Sequence, residues 1–371
     1  MPKRICPHCG HPFEIPDAMV GEHVPCPSCG LDILMPRRTR PAQEKIRLSV
    51  TQPPLENYDA TQLADIAGQI IANVEKVIVG KTEQVRLAVV ALFAEGHILF
   101  EDVPGVAKTM LSRAVALSVG CSFKRIQCTP DLQPEHVVGD FTVDPATGKK
   151  DFRFGPLFSQ MVLVDEINRA SPRTQSALLE AMGEGMVSMD RISYRLEKPF
   201  MVMATQNPIE QEGTFRLPEA QMDRFLMRLS LGYPSAEQEL EMCRRVQIQH
   251  PIETLTAVMT ADDIVKCQRG VREISVAQDV CDYLVSLTRA TREHPALRLG
   301  ASPRGSLGIY RAAQSLAAIE GLSSVSIEHV RTVIEPVLAH RLLLRRDALK
   351  DFPDGAAVMR DIAEKLKTKA T

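Results

Sequence analysis

The stretch ILFEDVPGVAKTMLSRAVA, at residues 98–116, constrains the fold of this chain more than any other. A short apolar run leads into a loop containing Gly105, and Lys108–Thr109 then opens a helical pattern. Such a loop points backbone N–H groups at phosphate oxygens from the N-terminus of a helix. The general pattern is G-x-x-x-x-G-K-[ST], but Asp102 and Ala107 occupy its two glycine positions here. The stretch therefore predicts a phosphate-binding loop with two substitutions.

Both substitutions are compatible with such a loop. We expect the residue before Lys108 to have nearly helical geometry, which alanine accepts, and Asp102 to lie at the rim where the strand ends. Lys108 would neutralise the β- and γ-phosphates of a nucleotide, and the Thr109 hydroxyl would bind Mg²⁺. The residues expected to contact the nucleotide are Val103, Pro104, Gly105, Val106, Ala107, Lys108, Thr109 and Met110.

Two later apolar runs end in polar residues that suit ATP hydrolysis. MVLVDEINRA ends in Asp165, a candidate Mg²⁺ ligand, and Glu166, a candidate base for the attacking water. FMVMATQNP ends near Asn207, which would position that water from the neighbouring strand. An acidic turn after a strand is common in isolation, but these features combined with a phosphate loop are rare. Together they predict an ATP hydrolase that uses ATP and Mg²⁺.

The pattern along the chain predicts an α/β core that follows a small N-terminal unit and a linker and precedes a helical lid. Residues 60–234 alternate helical patterns with five buried apolar runs, which indicates a parallel five-stranded sheet sandwiched by helices. These runs are HILFED, FKRIQCT, QMVLVDE, FMVMATQ and FLMRLSLGYP. After Pro234 the strand signals largely stop, so residues 235–371 are expected to form an all-helical lid domain that opens with a Ser235–Gln238 capping box. Gly80 is expected to cap the first helix.

The N-terminal residues 1–36 have the pattern of a zinc ribbon, and residues 37–59 read as a linker. Two C-P-x-C-G sequences each place two thiolates on one tight turn, and two such turns complete a tetrahedral zinc site. The ligands would be Cys6, Cys9, Cys26 and Cys29. Two independent redox pairs are the alternative, but the repeated frame favours zinc. A unit below about 40 residues also needs a metal or disulfides to fold.

Composition limits the classes of function. The formal net charge of −2 and the presence of no Trp and five Tyr disfavour a strongly electrostatic or base-stacking nucleic-acid binder. No apolar run approaches the ~18–20 residues that span a bilayer, and no apolar core of a signal peptide follows the first basic residues. We therefore expect a cytoplasmic protein without membrane insertion.

Several segments resemble those of MoxR-type AAA+ ATPases, over about residues 60–350. They are EDVPGVAKT, CTPDLQPEHVVGD, FRFGPLF, LVDEINRASPRTQSALLEAM, ATQNPIEQEGTFRLPEAQMDRF and GASPRGSLGIYRAA. In that family, Asp at the first loop position is usual and Ala at the later one is an accepted variant. The resemblance implies a homo-oligomeric ring, usually a hexamer, with nucleotide between subunits.

The resemblance also assigns roles to two arginines and a glycine. Arg224 matches the arginine finger that reaches the γ-phosphate bound by a neighbouring subunit, with Arg216 as second candidate; a salt bridge of Arg224 with Asp223 or Glu219 is the structural alternative. Arg304, in a helix capped by Ser302, matches sensor 2, although it also suits a surface charge. Gly80, with the residues before it, matches the segment that packs on adenine, although an ordinary helix end explains it nearly as well.

The function implied is ATP-driven remodelling of a protein client. Family members often work with von Willebrand factor A domain proteins, and two hairpins, around residues 144–149 and within 185–200, are candidate contacts with the client in the ring pore. A nucleic-acid-dependent ATPase is the alternative, with the ribbon and RRTR contacting DNA or RNA. A nucleotide-gated scaffold that barely turns over is disfavoured by the presence of Glu166 and Arg224.

Overall fold

The structure, a computed structural model, divides into an N-terminal unit, Met1–Leu55, and a larger unit, Glu56–Thr371. It describes residues 3–5, 12–14, 23–25, 28–29, 32–34, 57–143, 150–189, 192–207, 214–247 and 250–367.

The N-terminal unit contains two antiparallel hairpins, β1 (Lys3–Ile5) with β2 (Pro12–Glu14) and β3 (His23–Pro25) with β4 (Asp32–Leu34). In the chain, one C-P-x-C-G sequence falls within each hairpin. Three of the four predicted zinc ligands lie outside the described residues, namely Cys6, Cys9 and Cys26. Within the described residues no group of three or more His, Cys, Asp or Glu side chains is placed to hold a metal, so zinc binding stays a prediction.

The first part of the larger unit alternates helices with strands. Its elements are α1 (Ala60–Glu75), α2 (Thr82–Phe93), β5 (Ile98–Glu101), α3 (Lys108–Ser118), β6 (Phe123–Gln127), α4 (Pro134–Val138), β7 (Gly139–Val143), β8 (Lys150–Phe154), β9 (Met161–Asp165), α5 (Pro172–Glu184), β10 (Met186–Met189), β11 (Ile192–Arg195), β12 (Met201–Gln206), α6 (Glu219–Met222) and β13 (Met227–Leu229).

The five predicted strands form one parallel sheet in the order β13-β5-β12-β9-β6. The central strands β5, β12 and β9 are buried on both faces, which explains their continuous apolar runs. The expectation of a buried run is wrong for the edge strand β6, which exposes Lys124, Arg125 and Gln127. In β5, Ile98 and Phe100 join one core cluster and Leu99 joins the other, because successive side chains point to opposite faces. The carboxyl ends of β5, β12 and β9 therefore meet side by side at one edge, as the predicted ATPase site requires.

Two antiparallel hairpins project from this framework, β7–β8 and β10–β11, where the sequence predicts them. Their aromatic rings pack together, with Phe152 and Tyr194 stacked at 4.7 Å between centroids. Phe154 lies edge-on to Phe158 at 4.7 Å and remains 59% exposed. We call Phe152, Phe154, Phe158 and Tyr194 the aromatic cluster.

The rest of the unit is a mainly helical lid. Its elements are α7 (Ala236–Val246), α8 (Ala261–Val271), β14 (Ser275–Val276), α9 (Gln278–Glu293), β15 (Leu297–Leu299), α10 (Pro303–Ile319), β16 (Ser324–Val325), α11 (Ile327–Leu338), β17 (Leu343–Leu344) and α12 (Gly355–Lys367). The prediction of an all-helical lid is thus wrong in detail, because β14 pairs with β16 and β15 with β17. Strands of two or three residues leave too short a pattern to be read from sequence.

Helix ends follow local capping chemistry in most places. The predicted Ser235–Gln238 capping box opens α7, with the Ser235 amide donating to Gln238 Oε1 at 3.0 Å. The predicted cap of α1 is wrong: α1 ends at Glu75 with Lys76 as its cap. Gly80 instead lies in the loop before α2 with a φ of 68°.

Buried hydrogen bonds attach the lid to the helices of the α/β part. Gln268 of α8 donates to the carbonyl of Leu92 at 2.8 Å, and Ser315 of α10 donates to the carbonyl of Val90 at 2.8 Å. Both carbonyls lie in the last turn of α2 and also accept backbone hydrogen bonds, Val90 from Ala94 and Leu92 from Glu95, so each lid side chain adds a second hydrogen bond to a carbonyl that has two acceptor positions. Within the described ranges, no helix combines the length and apolarity that crossing a membrane requires.

Candidate active site

The loop between β5 and α3 contains two residues whose backbone has the left-handed conformation. Gly105 has a φ of 86°, and Ala107, the N-cap of α3, has φ 60° and ψ 19°. The expectation of nearly helical geometry at Ala107 is therefore wrong. This region of backbone space is costly for residues with a Cβ, which explains the glycine of the general pattern. The turn starts α3 at Lys108, so that the free N–H groups of its first turn face the loop.

Lys108 is held by the loop that it follows. Its Nζ donates to the carbonyl of Asp102 at 2.8 Å and to that of Val103 at 3.2 Å. Burial lowers the pKa of Lys108, and three nearby carboxylates oppose this shift, those of Asp102, Asp165 and Glu166. The lysine of the phosphate loop and the two acidic residues after β9 thus belong to one electrostatic site.

Asp102, at the first glycine position, is 8% exposed and does not lie at a rim as predicted. Its Oδ2 accepts hydrogen bonds from the amides of Leu231 at 2.5 Å and Gly232 at 2.8 Å, and from the Ser230 hydroxyl at 3.1 Å. Its Oδ1 accepts from the amide of Val103 at 3.1 Å. Asp102 thereby ties the start of the loop to the segment between β13 and the lid. Sequence reasoning missed this role.

Asp165 ends β9, Glu166 follows it, and both carry ion pairs within the chain. Arg125 of β6 contacts Asp165 Oδ2 at 2.6 Å, and Arg169 contacts Glu166 Oε2 at 3.0 Å. Glu166 Oε2 also accepts a hydrogen bond from the side-chain amide, Nε2, of Gln127 at 3.3 Å. Both carboxylates are therefore oriented by polar neighbours.

The strand β12 supplies polar groups between the loop and these carboxylates. Asn207, the predicted water-positioning residue, directly follows β12 and is buried. Sequence reasoning missed Thr205, whose hydroxyl donates to Asp165 Oδ1 at 2.6 Å and accepts from the Glu166 amide at 2.8 Å. The sequence signal that could have revealed Thr205 is a hydroxyl residue near the end of a buried strand that neighbours β9.

The residue types at this site fit a magnesium ion. Mg²⁺ prefers oxygen donors in octahedral geometry and keeps several waters. Thr109, in the first turn of α3, and Asp165 offer such donors. A bound ion would compete with Arg125 for Asp165 Oδ2.

A cleft beside the loop has an apolar lining suited to a nucleotide base. The loop contributes Gly105, Val106, Ala107 and Met110, and the segment after α1 contributes Val77, Ile78, Val79 and Lys81. Gly80 lies within that segment, and Gln238 of α7 donates to its carbonyl at 3.3 Å. Arg245 of α7, which lines the cleft, donates to the carbonyl of Glu75 at 2.8 Å. Helix α7 thus walls the cleft from the lid side.

The two candidate catalytic arginines, Arg224 and Arg304, are not among the described residues that line this cleft, and a hydrogen bond joins their neighbours Asp223 and Ser302. Arg224 donates to the carbonyl of Leu179 in α5. Its neighbour Asp223 accepts from the Ser302 hydroxyl, the cap of α10, at 2.8 Å. Arg304, in the first turn of α10, is exposed and is not among the described residues that line the cleft.

Asp223 pairs with a buried arginine of the lid. Arg341 contacts Asp223 Oδ1 at 2.5 Å and donates to the carbonyl of Phe225 at 2.7 Å. This ion pair takes the place of the Arg224–Asp223 salt bridge that was the structural alternative for Arg224. Arg216, the second candidate for the arginine finger, is exposed.

Comparison with known proteins gives matches over both parts of the larger unit. Residues 97–227 match the family described as "ATPase family associated with various cellular activities (AAA)", and residues 289–362 match the AAA lid domain. Uncharacterized protein YeaC of Bacillus subtilis is 44% identical over 82% of this chain and 95% of its own. Chaperone MoxR1 of Mycobacterium tuberculosis is 42% identical over 76% of each chain.

A solved structure of a protein from Cytophaga hutchinsonii has the same architecture. It superposes with a TM-score of 0.77 and 33% identity, over 82% of this chain and 96% of its own. The site geometry, the AAA and lid matches and these relatives agree. The chain belongs to the MoxR family of AAA+ ATPases.

Proposed function

We propose that this chain is a Mg²⁺-dependent ATP hydrolase that works in a hexameric ring and uses hydrolysis to remodel a protein client. The observation that carries the proposal is the convergence of Lys108, Asp165 and Glu166 at one edge of the sheet. In this proposal the phosphates lie on the loop at residues 103–110, and adenine lies in the cleft beside Gly80.

The proposed reaction transfers the γ-phosphoryl group to water. The water oxygen bonds to the γ-phosphorus, and the bond to the β–γ bridging oxygen breaks, with its electron pair leaving on ADP. Glu166 accepts the proton of the water, and Asn207 orients that water. Lys108 stabilises the charge on the phosphates. When bound by Thr109 and Asp165, Mg²⁺ would neutralise negative charge on the β- and γ-phosphates.

In the proposed ring, Arg224 acts on the nucleotide of the neighbouring subunit, and Arg304 is the sensor 2 residue through which the lid responds to nucleotide. This is supported by the contact of Ser302 with Asp223, which joins the α10 N-terminus to the residue before Arg224. It is also supported by the apolar lining of the cleft, to which neither arginine contributes. An arginine supplied by a second subunit makes hydrolysis depend on assembly.

The proposed client contact is the aromatic cluster on the two hairpins. Phe154 is the exposed member of this cluster, beside the half-buried rings of Phe152, Phe158 and Tyr194. An exposed aromatic ring is suited to contacting a polypeptide, and the relative MoxR1 carries the name chaperone. We propose a protein client, and a von Willebrand factor A domain protein is one candidate partner.

For the N-terminal unit we propose a zinc ribbon that serves as an adaptor. Support comes from the two hairpins, each of which spans one C-P-x-C-G sequence. Chelating the metal from the full-length protein should unfold residues 1–36 and leave the melting transition of the larger unit unchanged. Equal zinc content before and after mutation of Cys6 and Cys29 to serine would contradict the proposed Cys₄ site.

The Glu166→Gln variant tests the function directly, since it should bind ATP while hydrolysis collapses. Used as an ATP-locked trap, it should capture a discrete protein that survives nuclease treatment and is lost without ATP. Capture that disappears with nuclease would support the nucleic-acid-dependent alternative instead. Undiminished turnover would remove Glu166 as the base.

A further inference from the structure

The backbone of Glu166 is unusual for a catalytic carboxylate. Its φ of 56° and ψ of 51° lie in the left-handed region, which is costly for a residue with a Cβ and persists only where surrounding contacts hold it. This conformation turns the chain between the end of β9 and the short helical turn Ile167–Arg169. It also sets the direction in which the Glu166 side chain leaves the backbone.

One side chain contacts both residues of the acidic pair. Thr205 is 2% exposed in β12. Its hydroxyl accepts from the Glu166 amide at 2.8 Å and donates to Asp165 Oδ1 at 2.6 Å. A hydroxyl is able to do both at once, because it has one donor and two acceptor positions. A valine of similar shape would leave the Glu166 amide without this partner.

We propose that Thr205 is a positioning residue that holds Glu166 in its left-handed conformation and fixes the rotamer of Asp165, so that both carboxylates are set for hydrolysis. The inference rests on the proposed role of Glu166 as base. Thr205 acts through the backbone of Glu166 and the carboxylate of Asp165, and not on the nucleotide.

The other contacts of Glu166 do not replace this one. Arg169 and Gln127 bind its carboxylate, at the flexible end of the side chain. The Thr205 bond is made by the backbone amide, which determines where the side chain begins. Without the Thr205 hydroxyl, the carboxylate would lose its alignment even with both side-chain contacts available.

The experiment compares Thr205→Val and Thr205→Ser by steady-state ATPase kinetics and by binding of a fluorescent ATP analogue. Thr205→Val should lower kcat at least about tenfold, since a displacement of about 1 Å at a reacting group can cost ~10²-fold. Because Asp165 is a proposed Mg²⁺ ligand, affinity is compared without Mg²⁺, where it should stay within about twofold of that of the unchanged protein. Thr205→Ser keeps the hydroxyl and should restore kcat.

Thr288→Val is the matched control. Thr288 is fully buried in the lid, and its hydroxyl donates to the carbonyl of Leu284 at 3.1 Å. This variant makes the same chemical change away from the site and should keep kcat. If Thr205→Val does not fold, as judged by its melting transition, Thr205→Ala removes the hydroxyl without adding a methyl group and carries the same expectation.

Glu166→Gln, measured in parallel, separates this inference from the proposed function. If Glu166→Gln is inactive while Thr205→Val keeps its kcat, the positioning role of Thr205 is overturned and the base stands. If Glu166→Gln hydrolyses ATP normally, the proposed base is wrong, whatever Thr205→Val does. Equal loss of nucleotide binding in Thr205→Val and Thr205→Ser would indicate a purely structural role and would also overturn the inference.

Discussion

Asp102 Oδ2 accepts a hydrogen bond from the backbone amide of Gly232 at 2.8 Å, across 130 positions of sequence. The adjacent amide of Leu231 donates to the same oxygen. Residues 230–232 connect β13 to the lid, so the carboxylate joins the phosphate loop to this connection. A residue that breaks the general loop pattern thus has a definite structural task.

Replacing Asp102 with Asn should loosen this connection. An amide retains one acceptor oxygen, so its NH₂ group must face an N–H donor that the carboxylate now satisfies. We expect a loss of about 1–3 kcal/mol in the free energy of unfolding and a higher KM for ATP. Urea unfolding and ATPase kinetics measure both. Asp65→Asn, an exposed change on α1, is the control, and identical stabilities of the two variants would contradict the role of Asp102.

Ala107→Gly should stabilise the larger unit. The left-handed backbone of Ala107 costs about 1–2 kcal/mol that glycine avoids, while the greater freedom of glycine in the unfolded chain offsets about 0.4–1 kcal/mol. We expect a gain of up to about 1 kcal/mol in urea unfolding. Ala290→Gly, in the interior of α9, should instead lower the free energy of unfolding by about 1 kcal/mol. Destabilisation by both changes would show that the loop does not carry this strain in solution.

The sheet and the polar strand ends were predictable because their signals are local. Continuous apolar runs mark β9 and β12; Asp165 ends the first strand and Asn207 directly follows the second. The partners of Asp102 were not predictable, since Leu231 lies 129 positions away and nothing in the intervening pattern pairs the two. The sign of φ at Ala107 was also hidden, because residue type alone favours the helical region at alanine.

The two candidate arginine fingers can be separated by mutation. Arg224→Ala should lower kcat about 10³-fold, the lower end of the effect of an arginine finger, while nucleotide binding persists. Arg216→Ala, an exposed arginine in the same segment, is the matched control and should retain most activity. The opposite ranking would assign the finger to Arg216. Adding Arg224→Ala subunits to Glu166→Gln subunits should restore hydrolysis in mixed rings, because each would supply the group that the other lacks.

Acidification should destabilise the larger unit through buried histidines. Burial lowers the pKa of His97 to about 4. Its Nδ1 accepts a hydrogen bond from the Val202 amide, and its Nε2 donates to the Met182 carbonyl. The unfolded chain binds a proton near pH 6.5, its ordinary value, so stability falls as pH drops from there towards about 4. For His97 the free energy of unfolding falls by about 3 kcal/mol over this range.

The matched variant for this pH dependence is His97→Asn, which cannot take up that proton. Its stability should be lower near neutral pH but should change less steeply between pH 6.5 and 4 than that of the unchanged protein. A residual slope is expected, because the pKa of His340 is also lowered by burial. Urea unfolding at a series of pH values measures both slopes. Parallel curves for the two proteins would mean that His97 takes up its proton over the same pH range in the folded and the unfolded chain.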